Sequence, residues 1–486
     1  MVEEGRFIPI TVTGETDMQP LLKKLPSVDK VLADERVSSR MSLMSHGGVK
    51  RIVREKIAEY RARIRAGKTD GIAADDLGAA IIAEIGEELD RLSGAKQRRV
   101  INATGVILHT NLGRAVLGKA ARAAIDMAAD GYSDLEVDLA SGKRFERGRR
   151  AGRLLALMTG AEDAFIVNNN AAAILLAVRT FAGSGAVAIS RGELVEIGGS
   201  FRLPEILASA AARVIEVGTT NRTHLKDYER SIDAGATLLL KVHTSNYRIV
   251  GYTNDVPLQE LAGLGRGSRV PVMYDQGSGV LYPLRSVGVA GEETIEEVLA
   301  SGVDLVSFST DKVLGGPQGG ALVGKAKLIA RMRENHLSRA LRLDKLTLAG
   351  LEEVLLAYWE GRFHEMPALA MITERLEDVR ARAERLAGRL RGGAAAGCRV
   401  SVVDSESSIG GGSFPINPLP TAVVEITLPA GSAARLAREL RAGVPAVMLR
   451  VKGSSVIVDP RTVSRDEERQ LIERLEEALA IVLRRE

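Results

Sequence analysis

The sequence predicts an α/β protein with a mostly parallel central sheet, a helical N-terminal domain and an α+β C-terminal domain. Between residues 96 and 344, short β-type runs alternate with stretches long enough for a helix, the grammar of βαβ units. These runs carry near-continuous apolar residues, such as Leu238-Leu239-Leu240, which suits strands covered on both faces. The flanking regions, 1–95 and 345–486, lack that alternation.

Residues 1–95 read as helical, with turn signals at Pro26-Ser27, Gly47-Gly48 and Lys68-Thr69-Asp70-Gly71. In the central region the β-type runs fall at 164–168, 186–190, 213–218, 237–242, 270–276 and 304–310, each bounded by Gly, Asn or Ser. The last region opens with a long amphipathic helix around 367–390 and a Gly410-Gly411-Gly412 loop. Alternating strands follow near 422–428 and 446–458, and a closing helix starts at the capping-box pattern Ser464-Arg465-Asp466-Glu467.

Composition bounds the function. The 486 residues hold 66 Lys and Arg against 62 Asp and Glu, a formal charge of +4 that does not demand nucleic acid. A 45% hydrophobic and 26% charged mix excludes a disordered chain. No apolar stretch approaches the about 18–20 residues that span a bilayer, so no membrane partner is expected. The acidic start Met1-Val2-Glu3-Glu4-Gly5-Arg6 lacks a secretory signal, and the single cysteine, Cys398, forms no internal disulfide; both point to the cytoplasm. Cysteine-pair zinc sites are excluded, and the six His are scattered, so no metal is expected.

Two glycine-rich stretches are decoys. Gly319-Gly320-Ala321-Leu322-Val323-Gly324-Lys325 nearly matches a P-loop, but Ala326 replaces the Ser/Thr that would hold magnesium, and its centre reads as a strand. Gly263-Leu264-Gly265-Arg266-Gly267 lacks the dinucleotide spacing.

The informative segment is Ser307-Phe308-Ser309-Thr310-Asp311-Lys312-Val313-Leu314-Gly315-Gly316. It sets Lys312 just past a buried strand, where apolar walls lower an amine's pKa and glycines admit a bulky ring, as a Schiff-base lysine requires. Ser309 is placed to bond a cofactor phosphate. Asp275 ends another buried strand, where open α/β sheets bind ligands, and an acid there keeps a pyridine nitrogen protonated. Asn168-Asn169-Asn170-Ala171 join a strand to an alanine-rich helix whose N-terminus would take a phosphate. Asn246, in Thr244-Ser245-Asn246-Tyr247, is either a turn residue or a partner for the ring hydroxyl.

Asn170, Asp275, Ser309 and Lys312, in this order, resemble a fold-type I pyridoxal phosphate enzyme. Three stretches narrow the resemblance: Ile101-Asn102-Ala103-Thr104-Gly105-Val106-Ile107-Leu108-His109-Thr110-Asn111-Leu112-Gly113-Arg114, the run from Gly192-Glu193-Leu194 to Arg202-Leu203-Pro204, and 309–318. Together they are similar to the bacterial selenocysteine synthases, the L-seryl-tRNA(Sec) selenium transferases, from about residue 20 to the C-terminus. The resemblance implies pyridoxal 5'-phosphate as cofactor, held by Lys312 with Asp275, Ser309, Asn169, Asn170, Ala171 and Asn246. Lys312 and Asp275 would be catalytic. It implies conversion of seryl-tRNA(Sec) to selenocysteinyl-tRNA(Sec) with selenophosphate, through a cofactor aldimine and a dehydroalanyl-tRNA. Because the seryl carboxyl is esterified to tRNA, arginines are free to bind selenophosphate. Arg114, Arg339 and Arg342 are placed for it by resemblance, with Arg147 a weaker choice, and Arg339 and Arg342 share a face if their segment is helical.

The large partner implied is tRNA, with no DNA. At about 100° per residue, Lys50, Arg54, Arg61, Arg65 and Lys68 fall within a stripe about 60° wide. Val49, Val53, Tyr60 and Ile64 form an adjacent apolar stripe, with Ile57 at its border. From Ser45 to Asp70 there are eight Lys/Arg against three Asp/Glu, a local +5. The resemblance further implies a homo-oligomer, a homodecamer in this family. Two alternatives stay open on the residues alone: a fold-type I lyase or aldolase acting on a free amino acid, and a catalytically silent tRNA-binding relative.

Overall fold

A computed structural model of the chain describes residues 18–41, 44–67, 76–94, 97–197, 201–289, 292–391, 393, 397–410, 418–429 and 431–484. The turn expected at 68–71 and positions 411 and 412 of the glycine loop lie outside the described residues. Two compact units emerge, Met1–Arg99 and Val100–Glu486.

The first unit is helical, as the sequence predicts. Its longest helices are His46–Arg65 and Leu77–Gly94. Val49, Val53, Ile57, Tyr60 and Ile64 line the buried face of the former and share a core with Ile81, Ile85 and Leu89. Ile57 thus belongs to the apolar face. Gly47-Gly48 is not a turn. Ser45 caps the helix by accepting from Gly48 N at 3.2 Å, which draws both glycines into the first helical turn.

The second unit holds, in chain order, β1 (Val100–Ala103), β2 (Asp163–Val167), β3 (Ala186–Ser190), β4 (Glu196–Ile197), β5 (Phe201–Arg202), β6 (Arg213–Val217), β7 (Ala236–Val242), β8 (Val272–Gly277), β9 (Leu305–Ser309), β10 (Gly320–Gly324), β11 (Arg399–Ser407), β12 (Leu419–Thr427), β13 (Ala446–Lys452) and β14 (Ser455–Val458). The central sheet has the order β2-β10-β9-β8-β7-β3-β6. From β9 to β6 all neighbours are parallel, while β10 runs antiparallel to both β9 and β2. Every residue of β3, β9 and β10 is buried, the pattern of strands covered on both faces. The P-loop decoy is β10 itself, and Gly263, Gly265 and Gly267 lie in helix Leu258–Ser268.

A second sheet, β1-β13-β14-β12-β11, carries its own core with Ala383, Leu386, Leu436, Leu440, Leu471 and Leu475. β1 joins it parallel to β13, Val100 opposite Ala446. Helix Lys345–Trp359 packs instead into the large core through Leu348, Leu351, Val354 and Leu355. The single helix expected around 367–390 is two, Pro367–Thr373 and Leu376–Arg391. At the break, Arg461 Nη1 donates to the carbonyls of Met371 and Glu374, both at 2.9 Å, and Arg382 Nη1 binds the Glu374 carboxylate at 3.0 Å. Buried Arg461 thus satisfies carbonyls that the interrupted helix leaves open, while Arg382 anchors the Glu374 side chain. The closing helix is preceded by the expected capping box of Ser464 and Glu467. Among the described residues no helix is long and apolar enough to cross a membrane.

Candidate active site

Lys312 lies in the loop that joins β9 to β10, so its strand end and the return strand fix it from both sides. It is only 6% exposed, and burial pushes its amine below the usual lysine range. The charge of Arg114 pulls the same way, while Asp275, Asp311 and Glu292 oppose. Its Nζ faces Gly277, where an added Cβ would lie 3.7 Å away, and Gly277 has φ +76°. A side chain there would be strained and would narrow the space above the amine.

Asp275 stands on β8, one residue before the register slips against β9 at Gln276. Such bulges re-aim side chains beside active sites. Asp275 Oδ1 accepts from Asn170 Nδ2 and from Ser307 Oγ, each at 2.8 Å. Burial pushes the carboxyl up, and these two donors, with Lys312 and His243, counter it. The site thus confronts two buried groups, each driven by desolvation toward its neutral form.

Asn169 caps helix Asn170–Ala182, its Oδ1 accepting from Ala172 N at 2.8 Å. The first N–H groups of a helix, here those of Asn170 and Ala171, have no partner inside it, which is the basis of anion binding at this end. β10 passes directly beneath: an added Cβ on Gly320 would lie 2.1 Å from the Asn169 carbonyl oxygen. Only glycine allows that approach. Ser309 ends β9, buried, two residues on from Ser307 and therefore on the same face.

Arg114 is held at φ 62°, a left-handed conformation uncommon for a non-glycine residue. Its Nη1 bonds Asp311 Oδ2 at 2.7 Å, and Ala115 N donates to the Asp311 carbonyl at 3.2 Å. The arginine is thereby brought beside Lys312.

The other proposed anion ligands gather elsewhere. Arg147, Arg339 and Arg342 line one cavity of about 790 Å³, of which Arg114 is not a lining residue. Arg339 and Arg342 do not share a helical face, because helix Leu337–Ala340 stops between them. Arg147 bonds Glu136 Oε1 and the Leu343 carbonyl, both at 2.9 Å, and Arg342 lies 3.8 Å from the same Glu136 oxygen. Burial works against it, but Arg147 and Arg144 hold the Glu136 carboxyl below its usual range. The segment that carries Arg339 and Arg342 is tied to the turn before the phosphate-type helix end, since Asn168 N donates to the Leu341 carbonyl at 2.8 Å. Asn246 is not brought to the cluster. It is exposed, and its amide donates to the Glu196 carbonyl at 2.6 Å.

In the N-terminal unit, Arg54, Arg61 and Arg65 are exposed and Lys50 is half-buried on helix His46–Arg65. Among the described residues none of the four makes an ion pair, whereas Lys56 on the same helix bonds Glu59 at 2.9 Å. Lys68 lies outside the described residues.

Several site residues escaped the sequence reading. Ser307 reaches Asp275 because the two are register partners of neighbouring parallel strands. Strand pairing, more than either residue type, was the signal. His243 follows β7 and donates its N–H to the Asp275 carbonyl at 2.9 Å. Its ring Nε2 lies 3.4 Å from Glu292 Oε1. Glu193, in one of the recognised stretches, fixes that strand end by accepting from Lys241 Nζ at 3.0 Å and Val242 N at 2.9 Å. Glu292 has no local sequence signature.

The residues fit pyridoxal 5'-phosphate. A buried acid, a buried lysine of lowered basicity and a capped helix end converge, and Asn168 Oδ1 and Asn170 Oδ1 are buried without a hydrogen bond from the protein.

Comparison with known proteins agrees with the geometry. Residues 100–464 match the family model for L-seryl-tRNA selenium transferase, and residues 22–61 match that for the selenocysteine synthase N terminal. The chain is 44% identical over 461 residues to the L-seryl-tRNA(Sec) selenium transferase of Moorella thermoacetica, covering 94% of this chain and 97% of that protein. It is 41% identical to the protein of the same name from Geobacter sulfurreducens, covering 94% and 99%. Among solved structures, that of D-glucosaminate-6-phosphate ammonia-lyase aligns with TM-score 0.57 at 20% identity, covering 81% of this chain and 99% of that one, a likeness of fold.

Proposed function

Because the chain belongs to the L-seryl-tRNA selenium transferase family, we propose that it is the enzyme that converts L-seryl-tRNA(Sec) to L-selenocysteinyl-tRNA(Sec), with pyridoxal 5'-phosphate as cofactor and selenophosphate as selenium donor. The observation that carries the site assignment is the meeting of Lys312 with Asp275, whose carboxylate is held by Asn170 and Ser307. When bound, the cofactor's protonated ring withdraws the electron pair left at the substrate's α-carbon.

Lys312 is suited both to link to the cofactor carbonyl and to take the α-proton, because burial keeps its amine in the neutral, nucleophilic form more readily than a surface lysine. Asp275 would keep the ring nitrogen protonated. Asn170 and Ser307 occupy its Oδ1, which leaves Oδ2 for that proton. The capped helix end at Asn169, with the N–H groups of Asn170 and Ala171 and the hydroxyl of Ser309, would hold the phosphate.

Loss of the seryl β-hydroxyl would leave a dehydroalanyl group on the tRNA ester, to which selenium adds. Arg114 beside Asp311 and the cavity arginines Arg147, Arg339 and Arg342 would bind the selenium donor, a small anion suited to guanidinium recognition. Lys50, Arg54, Arg61 and Arg65 would contact the tRNA backbone. A cytoplasmic homo-oligomer fits this reading.

Incubation with seryl-tRNA(Sec), with and without selenophosphate, followed by identification of the aminoacyl product, tests it. Selenocysteinyl-tRNA is expected only with the donor. Comparable turnover of free L-serine would favour a free-amino-acid lyase instead. Borohydride reduction and peptide mapping should place the pyridoxyl label on Lys312, and a label elsewhere would overturn the cofactor assignment.

A further inference from the structure

A second buried carboxylate lies in the segment between β8 and β9, packed against His243 and Ser278. The Glu292 side chain is 3% exposed. Ser278 Oγ, itself fully buried, donates to Glu292 Oε2, and His243 Nε2 faces Oε1 at 3.4 Å. These neighbours lead straight back to the catalytic residues. The Ser278 carbonyl accepts from Val313 N at 3.1 Å, next to Lys312, and His243 N donates to the Asp275 carbonyl at 2.9 Å. The bulged Gln276 clamps the adjoining chain, its amide donating to the Glu293 carbonyl at 2.6 Å and its carbonyl oxygen accepting from Gly279 N at 3.1 Å. Glu292 therefore closes a ring of contacts running from Asp275 through His243 and Ser278 to the Lys312 turn.

We infer that Glu292 is a positioning residue for the reaction, an anchored negative charge that stabilises the protonated nitrogen of Lys312 while holding His243 and the Lys312 turn in place. A fixed carboxylate in a buried, poorly solvated site acts on a nearby cation far more strongly than one at the surface. The charged groups acting on Lys312 come from several elements: Asp275 on β8, Arg114 and Asp311 as an ion pair, and Glu292. Glu292 alone among these sits on the segment between β8 and β9. Glu292 also acts, with Glu193, Asp275 and Glu293, on the half-buried Tyr274 of β8.

This inference rests on the cofactor reading above. Its test is the pH midpoint at which the visible absorbance of the pyridoxal phosphate-loaded enzyme switches, which reports the proton on the Lys312 nitrogen. Glu292→Gln keeps shape and removes the charge. Its midpoint should fall by about one unit, a tenfold weaker hold on that proton. Glu292→Asp, which keeps the charge, should recover at least half of that shift. If Glu292→Gln does not fold, Glu292→Ala carries the same expected direction. A midpoint unchanged in a folded neutral variant, with the label still on Lys312, would overturn the inference and leave the cofactor assignment standing. Absence of the Lys312 label in the parent enzyme would instead overturn both.

Discussion

Asn170 Nδ2 and Asp275 Oδ1 lie 2.8 Å apart across 105 residues of sequence, so the first residue of a helix holds the acid at the end of a strand. In the proposed site the same helix end would serve two ends of one cofactor, its N–H groups toward the phosphate and its first side chain toward the ring acid. Asn170→Ala should raise the Asp275 carboxyl further and weaken cofactor binding by about tenfold, the effect of removing one hydrogen bond to a buried charge. Fluorescence titration of the apoenzyme with pyridoxal phosphate measures this, and unchanged affinity would remove Asn170 from the site.

The buried pair Asp275 and Lys312 makes a stability prediction for the apoenzyme. Desolvation raises the first group's pKa and lowers the second's. For Asp275 the contribution to stability is full below the unfolded carboxyl value and is lost as pH rises through the folded one. For Lys312 the penalty holds below its lowered folded value and is relieved as pH rises through it toward the ordinary lysine range. Between those two ranges the site is stressed. At neutral pH the double variant Asp275→Asn, Lys312→Met should melt about 2–4 °C above the parent, whereas each single variant, leaving one charge unpaired, should melt below it. Calorimetry of the three variants decides.

Gly320→Ala should be costly out of proportion to one methyl group. A Cβ 2.1 Å from the Asn169 carbonyl must push the helix end away from β10. A loss of about 1–3 kcal/mol in stability is expected from overpacking, accompanied by a larger loss in phosphate affinity than in affinity for phosphate-free pyridoxal. Equal losses for both ligands would place the phosphate elsewhere.

Arg339→Ala with Arg342→Ala should let dehydroalanyl-tRNA accumulate while selenium transfer falls by about a hundredfold, the scale of removing two guanidinium bonds at about 1.5 kcal/mol each. Product analysis by mass spectrometry distinguishes this from simple inactivation. Normal selenium transfer would exclude this cavity as the donor site.

Replacing Arg54, Arg61 and Arg65 by Ala should leave the fold intact, since all three are exposed. It should make the log–log salt dependence of tRNA binding shallower by about 2–3, close to one unit for each phosphate no longer neutralised. Filter binding across a salt series gives the slope directly, and an unchanged slope would move the tRNA surface off this stripe.

What could be read from the sequence were features written in consecutive residues. The strands of the central sheet announce themselves as apolar runs, and Lys312, Asp275 and Asn169 each sit at the end of one. Ser307 needed the register between two strands, and Glu292 and His243 needed the loop closure that brings residues from different strand ends together. Arg339 and Arg342, placed together by resemblance, are joined by a shared cavity and not by a helical face, because a four-residue helix ends between them. The antiparallel sense of β10 was hidden too, since an apolar run does not carry its direction.

β1 belongs to the C-terminal sheet through β13, yet a short stretch of chain beyond it Arg114 reaches Asp311 beside the reactive lysine. That stretch ties the C-terminal sheet to the turn that carries the lysine. Tilting the C-terminal sheet would either pull the guanidinium off Asp311 or drag the lysine turn along, so the charge beside the amine depends on how the smaller core is packed.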